Sequence, residues 1–514
     1  MTGMNRLRRS GTAKGALAAG HPLTVEAGSQ MFEIGGNAFD AALAAMCAAC
    51  VVEPVLTSLG GGGFLLARPS GQQPTLYDFF VQTPRQRRPL DDTDFYPVVA
   101  DFGTAQQEFH IGSGAIATPG SVRGLLHCQR RLGRLPLTEI VAPAIRYARD
   151  GVRINGLQAY IFSIVQPIYV ATAQARAIYG EVALSGEGHV FHQADLADTL
   201  AWIGEEGDAP FYDGEIGKRL IGLSNESGGH LEHDDLANYR VIERSPLQHR
   251  YRGWRVATNP SPSSGGTLIN YALSMLDSQD LAAAGFGSAG HLHILAHVMT
   301  HTNVARDDGM LQRNEKHRQL MQAYREAVRG HPVNNRGTTH ISAIDADGNL
   351  ASLTLSNGEG SGRILPGTGI MLNNMLGEED LNPNGFNRWP CDVRVSSMMA
   401  PTLAEKERQL VAIGSGGSNR LRTAILQTLS NLIDFGLPPE QAVNAPRIHF
   451  ERGQLDIEPG FDDAALAKLK ETYPQNRCWD SHNLFFGGTH TVCWDGRTFS
   501  GAGDPRRGGV FQIS

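Results

Sequence analysis

Apolar and polar positions follow different rhythms along this chain, and each rhythm predicts a different element. Residues 41–52 are wholly apolar, with Asn37 placed to cap a helix, Asp40 in its first turn and Pro54 beyond its end. This pattern predicts a buried helix. The run is too short for the roughly 20 residues that a bilayer-spanning helix needs. Next, LGGGGFLLARPSGQQPTLYDFF predicts a glycine loop leading into two strands, with a turn at Ser70-Gly71. Helical patterning dominates from about Gly120 to Gln279, broken by Tyr212-Asp213-Gly214 and by the loop NPSPSSGGT. The stretch 307–336 is polar with little apolar periodicity and predicts a surface connection or strap.

From Thr338 the rhythm turns to that of a β-hairpin: THISAI, a turn over 345–349, then LASLTLS. A further strand, QLVAI, runs into Gly414-Ser415-Gly416-Gly417-Ser418-Asn419 and then the helical pattern LRTAILQTLSNLIDFG. Strand, glycine-rich loop and helix start form a place where backbone N–H groups can face an anion or oxyanion; a tight connection that merely needs glycine reads equally well from this segment alone. The chain finishes in strand-like segments, GGTHTVCWDG and GAGDPRRGGVFQI. Strands and helices in both halves predict layered sheets covered by helices.

Composition narrows the class without choosing a reaction. At 514 residues, 41% hydrophobic and 19% charged, with 60 Gly and 26 Pro, the chain is an ordinary globular protein rich in tight turns. A formal net charge of -7 and no long basic run give no electrostatic support for a nucleic-acid partner. The start carries no clear signal peptide, since Gly, Thr, Lys and His interrupt any apolar core, so no membrane partner and a cytoplasmic location are expected, with a periplasmic one left open. Cys47 and Cys50 form a CxxC inside an Ala-rich helix and read as small core residues. His293, His297 and His301 share a helical face, but no HExxH or carboxylate at ligand spacing accompanies them, so a polar helix face is the better reading. Neither metal nor cofactor is expected. GGGGF at Gly60 is not a nucleotide loop, and Gly414-Ser415 is not a G-x-S-x-G elbow.

The candidate chemistry sits at Gly337-Thr338. A threonine after glycine at a strand start can attack the preceding carbonyl, and its freed α-amine can then serve as base for its own hydroxyl. On the tetrapeptide alone, a turn followed by an exposed strand is the simpler reading. Other segments change that balance: GGNAFDAA, EPVLTSLGGGGFLLAR, PGSVRGL, LPLTEIVAPAIRYARDG, PSSGG, TTHISAIDADGN, GIMLNN, VSSMMAPT, GSGGSNR, NAPRIH and GDPRRGG, in that order. In this series the chain resembles the gamma-glutamyltranspeptidase family of N-terminal nucleophile hydrolases over nearly its whole length.

The resemblance implies an α+β, four-layer αββα sandwich made as a precursor. Self-cleavage after Gly337 would give a large subunit, 1–337, and a small catalytic subunit, 338–514, both within one domain. Thr338 would be the nucleophile, and the family's second threonine falls at Ser356. The oxyanion donors fall at the N–H groups of Gly417 and Ser418. The implied partners are a small γ-glutamyl or other acyl-amide substrate and a water or amine acceptor. Thr354 and Asn357, on the Ser356 segment, and Ser396 and Ser397, beside the α-carboxylate site, are substrate-binding candidates.

Two departures touch specificity. The family arginine that clamps the substrate α-carboxylate falls at Phe80, with Arg85, Arg87 and Arg88 a few residues on. Loss of such a fork weakens carboxylate binding by on the order of 2 kcal/mol. The acidic segment that holds the α-amine becomes Asn373-Asn374-Met375-Leu376-Gly377-Glu378-Glu379-Asp380, with Glu378 and Glu379 as its candidates, and a short connection to Ser396 implies an open site. A γ-glutamyl (glutathione-type) enzyme, a glutaryl or cephalosporin-acylase-like amidase of the same fold, and an unprocessed binding homologue are the three expectations.

Overall fold

The structure is a computed structural model that describes residues 13–101, 106–307, 333–334, 337–378 and 386–514. Most of the polar stretch 307–336 and Glu379 therefore lie outside the described residues.

Two antiparallel sheets face one another. The first has seven strands, in the order Val510–Ile513, Gly15–Ala19, Thr338–Asp345, Leu350–Ser356, Gly62–Arg68, Thr75–Phe79 and Ile242–Arg244. The second has six, in the order Phe499–Ala502, Gly488–Trp494, Gln409–Gly416, Thr402–Lys406, Trp254–Thr258 and Leu247–Tyr251. Alternation sorts the side chains of the first sheet between two cores. Leu17, Ala19, Leu65, Ala67, Ile341 and Leu353 pack on the helix Ala38–Val52, whereas Ala16, Ala18, Phe64 and Leu66 share a core with Val256, Leu403, Val411 and Ile413 of the second sheet. Helices Gly265–Leu276 and Arg420–Ile433 bring Leu273, Ile425 and Leu429 into that second core. The layers run helix, sheet, sheet, helix, as in the αββα sandwich of N-terminal nucleophile hydrolases.

The buried helix starts at Ala38, slightly before the apolar run. Asn37 Oδ1 accepts from the N–H groups of Phe39 and Asp40, and Asp40 Oδ2 accepts from Asn37 N–H, closing a capping box. Asp345, at the turn of the Thr338 hairpin, accepts from Ala38 N–H at 2.9 Å and so ties helix to hairpin. Two features differ from the sequence expectation. Five strands interrupt the stretch read as helical, among them the hairpin Leu247–Tyr251 and Trp254–Thr258. The first strand among the described residues, Gly15–Ala19, is wholly buried and pairs with the Thr338 strand.

Candidate active site

Thr338 is the first residue of a central strand, and register puts it directly opposite Ser356, the last residue of the neighbouring strand. Because side chains alternate, His340 and Thr354 lie on the same face one step deeper. His340 bonds Thr354 Oγ1 at 2.8 Å and Ser342 Oγ at 2.9 Å. Burial, with His490 nearby, holds its pKa well below the usual value, so the imidazole is neutral. Thr354 is thereby engaged by His340, one step below the strand ends.

At the strand end the Ser356 hydroxyl donates a hydrogen bond to the carbonyl oxygen of Gly337, the residue before Thr338. Gly337 has φ +28, and a methyl on it would lie 1.8 Å from the Gly358 carbonyl oxygen, so only glycine fits. Its N–H donates to Glu359 Oε1 at 3.2 Å. Both Thr338 and Ser356 are buried.

The loop Gly416–Ser418 closes the other side. A methyl on Gly416 would lie 2.3 Å from the Thr338 carbonyl oxygen. Gly417 has φ +118 and Ser418 φ +59, so serine takes the left-handed conformation here. Among the described residues no hydrogen bond uses the N–H of Gly417 or Ser418, while their carbonyls cap the start of the next helix through Arg420 and Leu421. Arg507 Nη1 approaches the Thr338 carbonyl at 3.5 Å and its Nη2 the Leu484 carbonyl at 3.4 Å. Burial and the neighbouring Arg420 lower its pKa to about 10, which leaves it a cation at neutral pH. The adjacent Asp504 and Arg506 lock the site's floor: Arg447 reaches Asp504 at 2.6 Å and Arg506 reaches Glu458 at 2.5 Å, all buried. These contacts join the NAPRIH and GDPRRGG segments.

On the recognition side the candidates are distributed differently. Glu378 is buried, and a methyl on Gly358 would lie 2.8 Å from its Oε1, which puts this carboxylate beside the Ser356 turn. Both polar atoms of the Asn357 amide are buried without a hydrogen-bond partner among the described residues. Ser396 and Ser397 pair in parallel with Val333 and Asn334, just upstream of Thr338. Ser396 Oγ donates to the Pro262 carbonyl at 2.5 Å, and Ser397 Oγ accepts from Met399 N–H at 3.0 Å. Phe80 is fully buried, its ring stacked on Phe64 at 5.2 Å in the core between the sheets.

Among the described residues, Arg394 and the arginines that follow Phe80 in sequence are engaged elsewhere. Arg394 is buried, with its guanidinium donating to the Phe80 and Arg240 carbonyls and lying 3.4 Å from Asp78. Arg85 pairs with Asp392, Arg87 donates to the Asn387 carbonyl, and Arg88 donates to Asn225. The three-histidine face holds no cluster of metal-ligating groups among the described residues. His293 is used by the Ala289 carbonyl and Thr472, and His297 meets His301 edge-on. Cys47 and Cys50 are buried thiols with raised pKa values, chiefly from burial. No described helix is long and apolar enough to cross a membrane.

A sequence model of the family described as Gamma-glutamyltranspeptidase matches residues 24–513. The chain belongs to the gamma-glutamyltranspeptidase family. Among its relatives in that family are a glutathione hydrolase proenzyme of Escherichia coli (strain K12), 30% identical over 96% of this chain and 90% of that protein, and the acylase ACY 1 proenzyme of Pseudomonas sp. (strain V22), 30% identical over 89% and 86%. A cephalosporin acylase from Bacillus halodurans shares the fold with a TM-score of 0.80 at 24% identity, over 100% of this chain and 98% of that one. The Helicobacter pylori gamma-glutamyltranspeptidase matches with a TM-score of 0.52 at 27% identity, over 63% of this chain and 93% of that one. This member of the gamma-glutamyltranspeptidase family is an enzyme of the hydrolase and transferase class.

Sequence reasoning left out Glu359 and Arg507, although Arg507 lies within the GDPRRGG segment. It also left out Glu53, which accepts from Thr24 and Thr339 beneath the Thr338 strand, each at 2.7 Å. For the two acids the signal is positional: Glu359 directly follows the turn glycine Gly358, and Glu53 sits inside an otherwise apolar neighbourhood.

Proposed function

We propose that this protein is a self-cleaving N-terminal threonine hydrolase and acyltransferase that acts on γ-glutamyl or related amides through an acyl-enzyme. The observation that carries this reading is the direct opposition of Thr338 and Ser356, with the Ser356 hydroxyl donating to the Gly337 carbonyl. That bond polarises the carbonyl which Thr338 Oγ attacks. The Gly337-Thr338 C–N bond then breaks, its nitrogen takes the hydroxyl proton, and water hydrolyses the resulting ester. The freed α-amine becomes the base for Thr338 Oγ. In turnover the same oxygen attacks a substrate amide, the N–H groups of Gly417 and Ser418 face the oxyanion, the amine leaves, and water or an acceptor amine takes the acyl group. The names of the relatives, which include proenzymes, support a precursor divided into the subunits 1–337 and 338–514.

Specificity rests on a trade. A γ-glutamyl group carries an α-amine and an α-carboxylate. Buried Glu378 suits the amine, and the Phe80 ring offers nothing to the carboxylate. The acylase-like alternative, a glutaryl amide, retains the carboxylate and lacks the amine. Anilides of γ-glutamate, 4-aminobutyrate and glutarate separate these features. We expect the 4-aminobutyryl compound, which lacks the carboxylate, to be cleaved within about tenfold of the γ-glutamyl one, and the glutaryl compound to be slower than either. A γ-glutamyl preference above 4-aminobutyryl of a thousandfold would contradict the role given to Phe80.

The mechanism has its own test. A denaturing gel of fresh protein should show two fragments, the smaller beginning at Thr338. Thr338→Ala should abolish both cleavage and turnover, and Thr338→Ser should retain some of each. Activity surviving in the alanine variant refutes the nucleophile.

A further inference from the structure

We propose that Glu359 is a positioning residue for self-cleavage, a role that rests on the reading above. Gly337 carries the carbonyl carbon that Thr338 Oγ must reach, and one short turn grips both of its backbone polar groups. Its C=O accepts from Ser356 Oγ, and its N–H donates to Glu359 Oε1 at 3.2 Å. Between these two residues the Gly358 carbonyl presses on Gly337, where an added methyl would lie 1.8 Å away. The grip is itself anchored, because Glu359 N–H donates to Asn374 Oδ1 at 2.9 Å and the residue is 7% exposed.

A carboxylate is a strong acceptor for a backbone N–H. Ser356 alone fixes one end of the Gly337 residue and leaves it free to swing about that contact. The second bond fixes the other end and holds the carbonyl face toward Thr338. Orientation of this kind acts on rate, because attack requires the reacting atoms near van der Waals contact with aligned orbitals. Glu359 neither gives nor takes a proton in the step. The Oγ–C bond forms, the C–N bond breaks, and the hydroxyl proton ends on the departing nitrogen.

Timed denaturing gels that follow the fragment beginning at Thr338 test this role. Glu359→Gln keeps an oxygen acceptor of equal reach, Glu359→Met removes it at similar volume, and Glu359→Asp keeps the charge but withdraws it by one methylene. We expect Gln within about threefold of the original rate and Met slowed about tenfold or more. The same substitutions in the Thr338→Ala chain, followed by thermal unfolding, report whether each variant folds. Met cleaving as fast as Gln overturns the assignment. Should the Met variant not fold, Asp slower than Gln supports the role, and Asp equal to or faster than Gln overturns it. An unsubstituted chain that never yields the fragment removes the self-cleavage reading itself, whereas a cleaving chain indifferent to Glu359 removes only this inference.

Discussion

The two sides of Thr338 are built from different materials. On the chemical side the parts are backbone groups and short hydroxyls: the strand register that opposes Thr338 to Ser356, and the loop at Gly417 and Ser418. On the recognition side the parts are side chains, short at Ser396 and Ser397 and long around Phe80, and around Phe80 the core has taken the long ones over. Phe80 stacks on Phe64, and Arg394 spends its guanidinium on two backbone carbonyls and Asp78. Backbone-built chemistry tolerates a change of residue as long as the conformation survives, as Ser418 in a left-handed conformation illustrates. Side-chain recognition vanishes with one substitution. On the proposed mechanism, this contrast would let a chain keep a family's reaction while its choice of acyl group drifts.

The largest effect that would break this contrast is expected at Phe80. If the recognition side merely lacked one arginine, Phe80→Arg would restore it. The position is instead enclosed by the core between the sheets. The substitution should cost about 4 kcal/mol of stability, through a lost aromatic contact and a buried charge, without raising the γ-glutamyl to 4-aminobutyryl ratio. Thermal unfolding and the anilide pair read both outcomes. An unchanged midpoint with a new carboxylate preference would show that the site is open to repair.

A somewhat smaller effect, about 3 kcal/mol in the activation barrier, is expected at the oxyanion loop. Gly417 has φ +118, and a methyl there would lie 2.9 Å from Gly487 Cα. Gly417→Ala should therefore lower kcat/KM on the order of a hundredfold. Ser418→Gly, which only relaxes the backbone, should leave it within about threefold. Steady-state kinetics on the anilides decide. A Gly417→Ala enzyme of full activity would remove this loop from the mechanism.

How much of this was legible in the sequence depended on whether the signal was local. The buried helix with its Asn37 cap, the Thr338 hairpin and the strand into the glycine loop announced themselves, because capping, alternation and turn chemistry are written in neighbouring residues. The strand Gly15–Ala19 did not: GALAA has no β-branched residue and no polar alternation, since both its faces are buried. The hairpin around Arg252 and Gly253 was hidden for another reason. Its strands LQHRY and WRVAT mix polar with apolar residues, and their place in the second sheet, with LQHRY at its edge, is a tertiary fact. The order of motifs implied candidate roles for Thr338, Ser356 and the loop at Gly417 and Ser418, and the hairpin that opposes the first two was legible in the alternation of its strands. The grip of Glu359 on Gly337 was not, because it depends on a turn whose shape only the folded chain reveals.

The smallest effect tests whether the chemical side has a floor as demanding as its surface. Glu53 is buried under the Thr338 strand, and burial raises its pKa, opposed by bonds from Thr339 and Thr24 and by the charge of Arg507. A carboxyl whose folded pKa is raised contributes stability that is fully present below its unfolded pKa and lost as pH rises through the folded one. Glu53→Gln removes the ionisation and keeps polar atoms for both threonine hydroxyls. In the Thr338→Ala chain, expected to stay in one piece, the Gln variant should match its parent in thermal midpoint near pH 4 and exceed it by a widening margin as pH rises. The sign is specific to a buried, reluctant acid. If the parent instead gains on the Gln variant with rising pH, Glu53 is an ionised partner of Arg507 and the strand beneath the nucleophile rests on an ion pair.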